Sequence, residues 1–251
     1  VFMVSSMVGL KSNFESIQVS RFIHPFFLSI LLLLPSRAAA WQDEAPRRPV
    51  VRLATYNVHG GIEASPRAVG RFLAGLNLDL LSLQEVPDQD YLAVVVAETG
   101  LNYFTPTDRF KVVLARQPLE GVERLPLPTG RGVIRATAML GGIPVSIYGI
   151  HNSWDQSGDR ENRHIVNELL PADANPRKIL LGDFNDEHYS TQNIILEGAL
   201  NDAWTDLGVR PGGRTTWPAT GFAGAEGHQL IDLLMYDPAG GMFPVDVRIP
   251  K

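Results

Sequence analysis

From residue 50 onward the chain alternates short apolar runs with stretches of helical spacing. Val50–Val58 reads as a strand. Ser65-Pro66-Arg67 places an N-cap serine before a proline at the first helical position, and residues 68–76 carry helical spacing behind it. Leu78–Val86 is β-like and closes on Gln84-Glu85, and residues 91–98 read as a helix. Phe110–Ala115, Gly132–Leu140 and Pro144–His151 are predicted strands, the last two joined by a Gly141-Gly142 hairpin turn. Residues 159–170 set apolar Ile165, Val166, Leu169 and Leu170 against a charged face, the mark of a surface helix. A strand over 177–184, a helix over 191–200 and strands over 229–236 and 243–249 complete the pattern. A hairpin inside a βα alternation predicts an α/β protein with mixed sheets. No G-x-G-x-x-G follows a strand, which argues against a dinucleotide fold.

The first forty residues have a different pattern. Lys11 and Arg21 precede the apolar run 22–34, and Pro35-Ser36-Arg37-Ala38-Ala39-Ala40 follows it. A basic region, a short greasy core and a small-residue site predict a secretory signal peptide cleaved near Ala40 and hence an exported protein. An uncleaved anchor or a start at Met3 or Met7 are the competing readings. The polar, proline-interrupted segment 41–49 reads as a flexible lead-in, and 50–251 as one domain.

Composition narrows the chemistry. The 251 residues carry a formal charge of −5, so bulk positive charge is not available to hold nucleic acid. Loss of residues 1–40 would make the balance more acidic. The chain has no cysteine, which excludes disulfides, zinc–thiolate sites, iron–sulfur ligation and a cysteine nucleophile.

Polar residues recur where the predicted strands end: Asn57 and His59, Gln84 and Glu85, His151 and Asn152, Asp183 and Asn185, with Asp232 inside an apolar strand. Each has a plain structural reading. Asn57 could cap a turn, Glu85 could be a rim charge, His151 a core histidine, and Asp183-x-Asn185 an Asx turn. An acid within an apolar strand needs a partner. Together they form a donor set for a hard cation such as Mg2+, or Mn2+ in its place. Such an ion takes one or two carboxylates, water and substrate phosphate oxygens. Gathered at one sheet edge, they would suit metal-assisted hydrolysis of a phosphate ester.

Thr55-Tyr56-Asn57-Val58, Leu83-Gln84-Glu85-Val86, Gly149-Ile150-His151, Leu181-Gly182-Asp183-Phe184-Asn185-Asp186 and Ile231-Asp232 occur in the order of the endonuclease/exonuclease/phosphatase superfamily. Residues 131–136 resemble the segment before the family's histidine strand, and residues 114–119 resemble its "leu-ser-arg-x-pro-ile" turn. The resemblance covers essentially all of 50–236. It implies a four-layer α/β sandwich, two mixed sheets face to face with helices outside and the active site at one edge. It also implies roles. Glu85 would be the main metal ligand with Asn57 beside it. Asp183 would orient or deprotonate the attacking water, and Asn185 would hold the phosphate. His151 would contact a phosphate oxygen or act as acid, and Asp232 would orient a second histidine.

The C-terminal end departs from that pattern. The family closes with Ser-Asp-His before an x-Pro-Val strand; here Phe243-Pro244-Val245 is preceded by Gly240, Gly241 and Met242. Three readings stand: a deleted segment, another histidine (His228 or His59) reaching the site, or a catalytically crippled protein. The expected partner is a phosphate ester, either nucleic acid or a small phosphodiester, acted on by a monomer without a stable protein partner; a small-molecule phosphatase or a phospholipid phosphodiesterase is the alternative. Arg160, Arg163, Arg177 and Lys178 form no basic stripe, and Glu161 is read on the same exposed face as Arg160 and Arg163. Trp154 and Trp217 are expected to be packed as core or loop anchors, with base stacking or membrane-surface contact as the other reading.

Overall fold

The computed structural model describes residues 49–62, 64–108, 110–186, 190, 191, 193–208, 216 and 230–249, and the backbone of 3–10. The elements in chain order are β1 Met3–Leu10, β2 Val50–Asn57, α1 Pro66–Ala74, β3 Leu80–Gln84, α2 Gln89–Thr99, β4 Tyr103–Phe104, β5 Val112–Ala115, β6 Leu119–Pro126, β7 Gly132–Leu140, β8 Ile143–His151, α3 Ser157–His164, α4 Leu170–Ala172, β9 Lys178–Asp183, α5 Ile194–Glu197, β10 Asn201–Asp202, α6 Ala203–Asp206, β11 Asp232–Tyr236 and β12 Met242–Arg248. They build two mixed sheets, ordered β12-β1-β2-β3-β5-β4 and β10-β11-β9-β8-β7-β6. Among the described residues no helix is long and apolar enough to cross a membrane.

Period-two alternation decides which side chains meet. Along β2, Val51 and Leu53 enter the core between the sheets, while Ala54 and Tyr56 face the helices. Leu80, Val113 and Ala115 also point inward, and Leu81, Leu83, Val112 and Leu114 outward. The outward set packs on Val69 and Leu73 of α1 and Leu92 and Val95 of α2. On the far side, Ile165, Leu170 and Leu196 cover the second sheet. Helix, sheet, sheet, helix is the expected four-layer sandwich.

Several local expectations need correction. The 159–170 helix starts at Ser157 and opens into a π turn over Ile165–Leu169, ahead of Pro171, which cannot donate an α-helical N–H. Helix 191–200 is reduced to α5, and ahead of it the Asn193 N–H closes onto the Ser190 carbonyl. The sequence pattern assigned no element to residues 119–126, yet β6 pairs there with β7; its outer-edge position leaves it too exposed to show an apolar signal. Within the stretch given no place in the fold, Met3–Leu10 pairs antiparallel with β2 and β12. The apolar run 22–34, the small-residue site and the lead-in through residue 48 lie outside the described residues. The Gly141-Gly142 turn is as expected, with both glycines at positive φ (59° and 81°).

Two glycines control the approach of layers beside the predicted site. A Cβ on Gly149 would meet Val113 Cγ2 of the opposite sheet at 2.8 Å. A Cβ on Gly182 would sit 2.0 Å from the Ile150 carbonyl oxygen. Bare backbone at these positions lets β8 lie against β9 and the first sheet.

Candidate active site

The two parallel pairs, β2–β3 and β8–β9, bring their C-terminal ends to one edge. In register, Asn57 lies opposite Gln84 and His151 opposite Asp183. Strands antiparallel to these begin where they end. Asp232, the first residue of β11, therefore faces Asp183, Arg131 sits just before β7, and Phe110 just before β5. Asn57 shares the inward face of Val51 and Leu53. His151 shares that of Gly149, whose α-carbon looks at Val113 and Ser82 of the other sheet.

The Asn57 amide nitrogen joins the two sheets. It donates to Glu85 Oε1 and to Asp183 Oδ2, both at 2.9 Å. Its Oδ1 accepts from the His59 N–H at 2.8 Å. His151 Nε2 is 3.8 Å from Glu85 Oε1. The carboxylates of 85 and 183, 98 residues apart in the chain, thus share one donor.

Glu85 reaches this point through backbone strain. Alternation would send it outward with Leu81 and Leu83. It adopts φ 56°, held by the Gly60 N–H on its carbonyl, and so turns its carboxylate toward Asn57. His59 (φ 48°) and Asn185 (φ 54°) are also left-handed. With Phe110 (φ 69°), four such non-glycine residues stand at one edge, each costing about 1 kcal/mol, and are held by surrounding contacts rather than by local preference.

Asp183 is buried, and its Oδ1 accepts from the Asn185 N–H at 2.8 Å. Burial pushes its carboxyl up to about 6, and the Glu85 charge adds to that; the Asn57 and Asn185 N–H groups and Arg131 act the other way. Burial lowers His151 to about 3, assisted by the charges of Arg131 and Lys111, so its imidazole is neutral at pH 7. It then offers an N–H rather than a charge. Asn185 donates its side-chain N–H to the Asn152 carbonyl at 2.9 Å. Asp232 is buried and its Oδ1 has no hydrogen-bond partner among the described residues. Burial and the neighbouring Asp183 push Asp232 well above the ordinary carboxylate range. His228 lies outside the described residues; His59 is beside Asn57 through its backbone N–H.

A cleft of about 770 Å³ lies beside these groups; Glu85 and His151 line it together with Gly60, Pro87, Phe110 and Arg131. Sequence reasoning gave no role to Arg131, whose guanidinium donates to the His151 carbonyl at 3.2 Å. It also misplaced Glu161, which is fully buried and not on a solvated face. Glu161 accepts from the Ser153 N–H (2.8 Å), the Ser153 hydroxyl (2.9 Å) and Thr129, so it ties together the loops carrying Arg131 and Asn152. Buried amides continue inward: Asn152 donates to Asn162 at 2.8 Å, and Asn162 to Asn193 at 3.0 Å. The available signal was spacing, since Gly158, Glu161, Asn162 and Ile165 form one i, i+3, i+4 stripe. Trp154, expected to be packed, is 79% exposed, and Trp217 lies outside the described residues.

The sequence profile described as the endonuclease/exonuclease/phosphatase family matches residues 54–240. The chain belongs to the endonuclease/exonuclease/phosphatase family. No curated protein matches it. Solved structures with the same fold include zebrafish (D. rerio) TDP2 complexed with a single-strand DNA product, at TM-score 0.60 and 18% identity, over 74% of this chain and 83% of that one. Sphingomyelinase C from Streptomyces griseocarneus matches at TM-score 0.55 and 17% identity, over 74% and 83%. An endonuclease/exonuclease/phosphatase family protein from Leptotrichia buccalis C-1013-b matches at 0.55 and 17%, over 74% and 87%. At these identities the likeness concerns the fold.

The family's name covers phosphoester chemistry, and the site can be tested for a divalent cation. Among the described residues no three His, Cys, Asp or Glu side chains group closely enough to cage a metal. A hard cation that keeps most of its water needs no such cage. Glu85, turned into the cleft beside an amide, with a second carboxylate on the same amide, fits that kind of ion.

Proposed function

We propose that this protein is an exported, Mg2+-dependent phosphodiesterase of the nuclease-like kind. The observation that carries the reading is the single Asn57 nitrogen bonded to both Asp183 and Glu85, the latter lining a cleft with Arg131 and His151. Glu85, with Asn57 beside it, would hold the cation, which supplies charge to a phosphate oxygen and to the developing negative charge around phosphorus. Asp183, held in place by the Asn57 amide and the Asn185 N–H, accepts a proton from the attacking water. Neutral His151 and cationic Arg131 donate N–H groups to non-bridging oxygens, where charge grows. Asn185 fixes the orientation of Asp183 through its backbone N–H and stands beside the phosphate. The DNA product held by the TDP2 homologue and the acidic balance of this chain together favour a short phosphodiester over long duplex gripped by a basic track.

The test is hydrolysis of bis-(p-nitrophenyl) phosphate with and without Mg2+. Activity that a chelator removes, and that Glu85→Gln and Asp183→Asn each lower by at least about 1,000-fold, supports the reading. Activity unaffected by either substitution refutes it. Asp232 Oδ1, which has no hydrogen-bond partner among the described residues, favours a second reading, a family member that binds phosphate esters without turnover. Mg2+-dependent binding of the diester with no product would select it. Export rests on the basic, apolar, small-residue order of residues 11–40, and cleavage near Ala40 would remove β1 as well. N-terminal sequencing of the mature protein checks it: a start after Ala40 supports export, and a retained leader refutes it.

A further inference from the structure

Phe110 is out of place by every stability criterion. It lies between Asp108 and Lys111, which exchange both backbone hydrogen bonds at 2.9 Å. Its φ is 69°, a conformation that glycine or asparagine takes readily and a phenylalanine resists. The residue is 59% exposed, so burial does not offset that strain. The turn is nonetheless firmly held. Lys111, itself buried, donates to Asp108 Oδ2 at 3.0 Å, Arg124 donates to Asp108 Oδ1 at 2.8 Å, and the Val86 N–H donates to the Phe110 carbonyl at 2.7 Å. That last bond places Phe110 directly beside the Glu85 segment. A strained, firmly held backbone thus displays an exposed aromatic residue on the wall of the cleft that also holds Glu85, Arg131 and His151. Strain combined with exposure at a cleft points to a ligand.

We propose that Phe110 and Arg131 select phosphate esters bearing a planar aromatic ring, the chemistry of a nucleotide: the Arg131 guanidinium takes the phosphate while the Phe110 face stacks on the ring. This rests on the phosphoester reading of the site and adds a specificity-determining residue to it. Stacking of a base on an aromatic side chain is sequence-tolerant, because every base has a π-face, so no particular base is required. An aliphatic phosphate would use Arg131 and gain nothing from Phe110.

The experiment is calorimetric titration of the full chain in Mg2+ with adenosine 5′-monophosphate and with ribose 5-phosphate, which differ by the ring alone. The wild-type protein is expected to bind the nucleotide about tenfold or more tightly over the sugar phosphate. Phe110→Asn removes the ring and suits the left-handed turn, so the fold is kept, which a thermal melt verifies. It is expected to abolish the preference, whereas Phe110→Tyr preserves it. Arg131→Gln is expected to weaken both ligands together. Equal wild-type affinity for the two ligands, or a preference that survives Phe110→Asn, overturns the proposal. If that happens while the diester is still hydrolysed, the function proposed above stands and only the stacking role falls. If neither ligand binds, the phosphate site falls with it.

Discussion

Removing the Asn57 side chain tests the site most directly. In Asn57→Ala the two carboxylates lose their shared donor, and the His59 N–H loses its acceptor. The consequences differ by burial. Glu85 is 36% exposed, so water replaces the lost bond at little cost. Asp183 is 4% exposed and keeps only the Asn185 N–H of the two donors described above. A charge-assisted bond lost from a buried carboxylate costs about 1.5–3 kcal/mol, and the His59 contact about 0.5–1. A loss of about 2–4 kcal/mol is expected at pH 8, a large share of the roughly 5–15 kcal/mol that holds a domain of this kind. It must also depend on pH. The folded Asp183 carboxyl lies near 6 against an ordinary value of 3.8. Through that window the folded state retains a proton that the unfolded state releases, so this group's contribution to stability falls as pH rises. Asn57 favours the charged form; without it the carboxyl moves higher and the fall extends further. The deficit of the variant is therefore larger at pH 8 than at pH 5. Urea titrations in chelator at both pH values measure it as a shift of midpoint at constant slope. The same variant is expected to lose about 100-fold or more in kcat/KM with Mg2+, because both acids lose their fixed orientation. A deficit under about 0.5 kcal/mol at both pH values, or one larger at pH 5, refutes the bridging role.

Two further substitutions probe the frame around the site. Gly182→Ala forces a Cβ to within 2.0 Å of the Ile150 carbonyl, so β8 and β9 must separate where His151 pairs with Asp183; a loss of about 3 kcal/mol or more is expected, and a thermal midpoint within about 2 °C of wild type contradicts it. Tyr148→Phe deletes a buried hydroxyl that donates to Asp173 Oδ2 at 2.7 Å. Burial raises the Asp173 carboxyl, but the hydrogen bonds of Tyr148, Ser146 and the Asn175 N–H, with the Arg135 charge, outweigh it and hold the group below its ordinary value. That stabilisation is present above the ordinary carboxylate range and is lost as pH falls through the lowered value. The variant is expected to lose about 1–2 kcal/mol at pH 7 and less below about pH 4; urea titrations showing an equal loss at both contradict it.

The sequence by itself determined the alternation of elements, the positions of most strands, and the polar residues at their ends. Those follow from period-two and helical spacing and from turn glycines, which are local properties. It also showed the order of family motifs and the missing Ser-Asp-His. It did not show β6, whose edge position removes the apolar pattern, nor the interior place of Glu161, since a charged residue on a helix reads as solvated until the loops it bonds are seen around it. Most of all, it placed Glu85 at the end of a strand without showing which way it points: alternation sends it toward the helices, and a left-handed backbone held by Gly60 turns it to Asn57. Convergence of Asn57, Glu85 and Asp183 from two sheets, and the strained display of Phe110 over them, depend on contacts between residues far apart in the chain. Only the packed tertiary structure can supply the energy that holds such conformations against local preference.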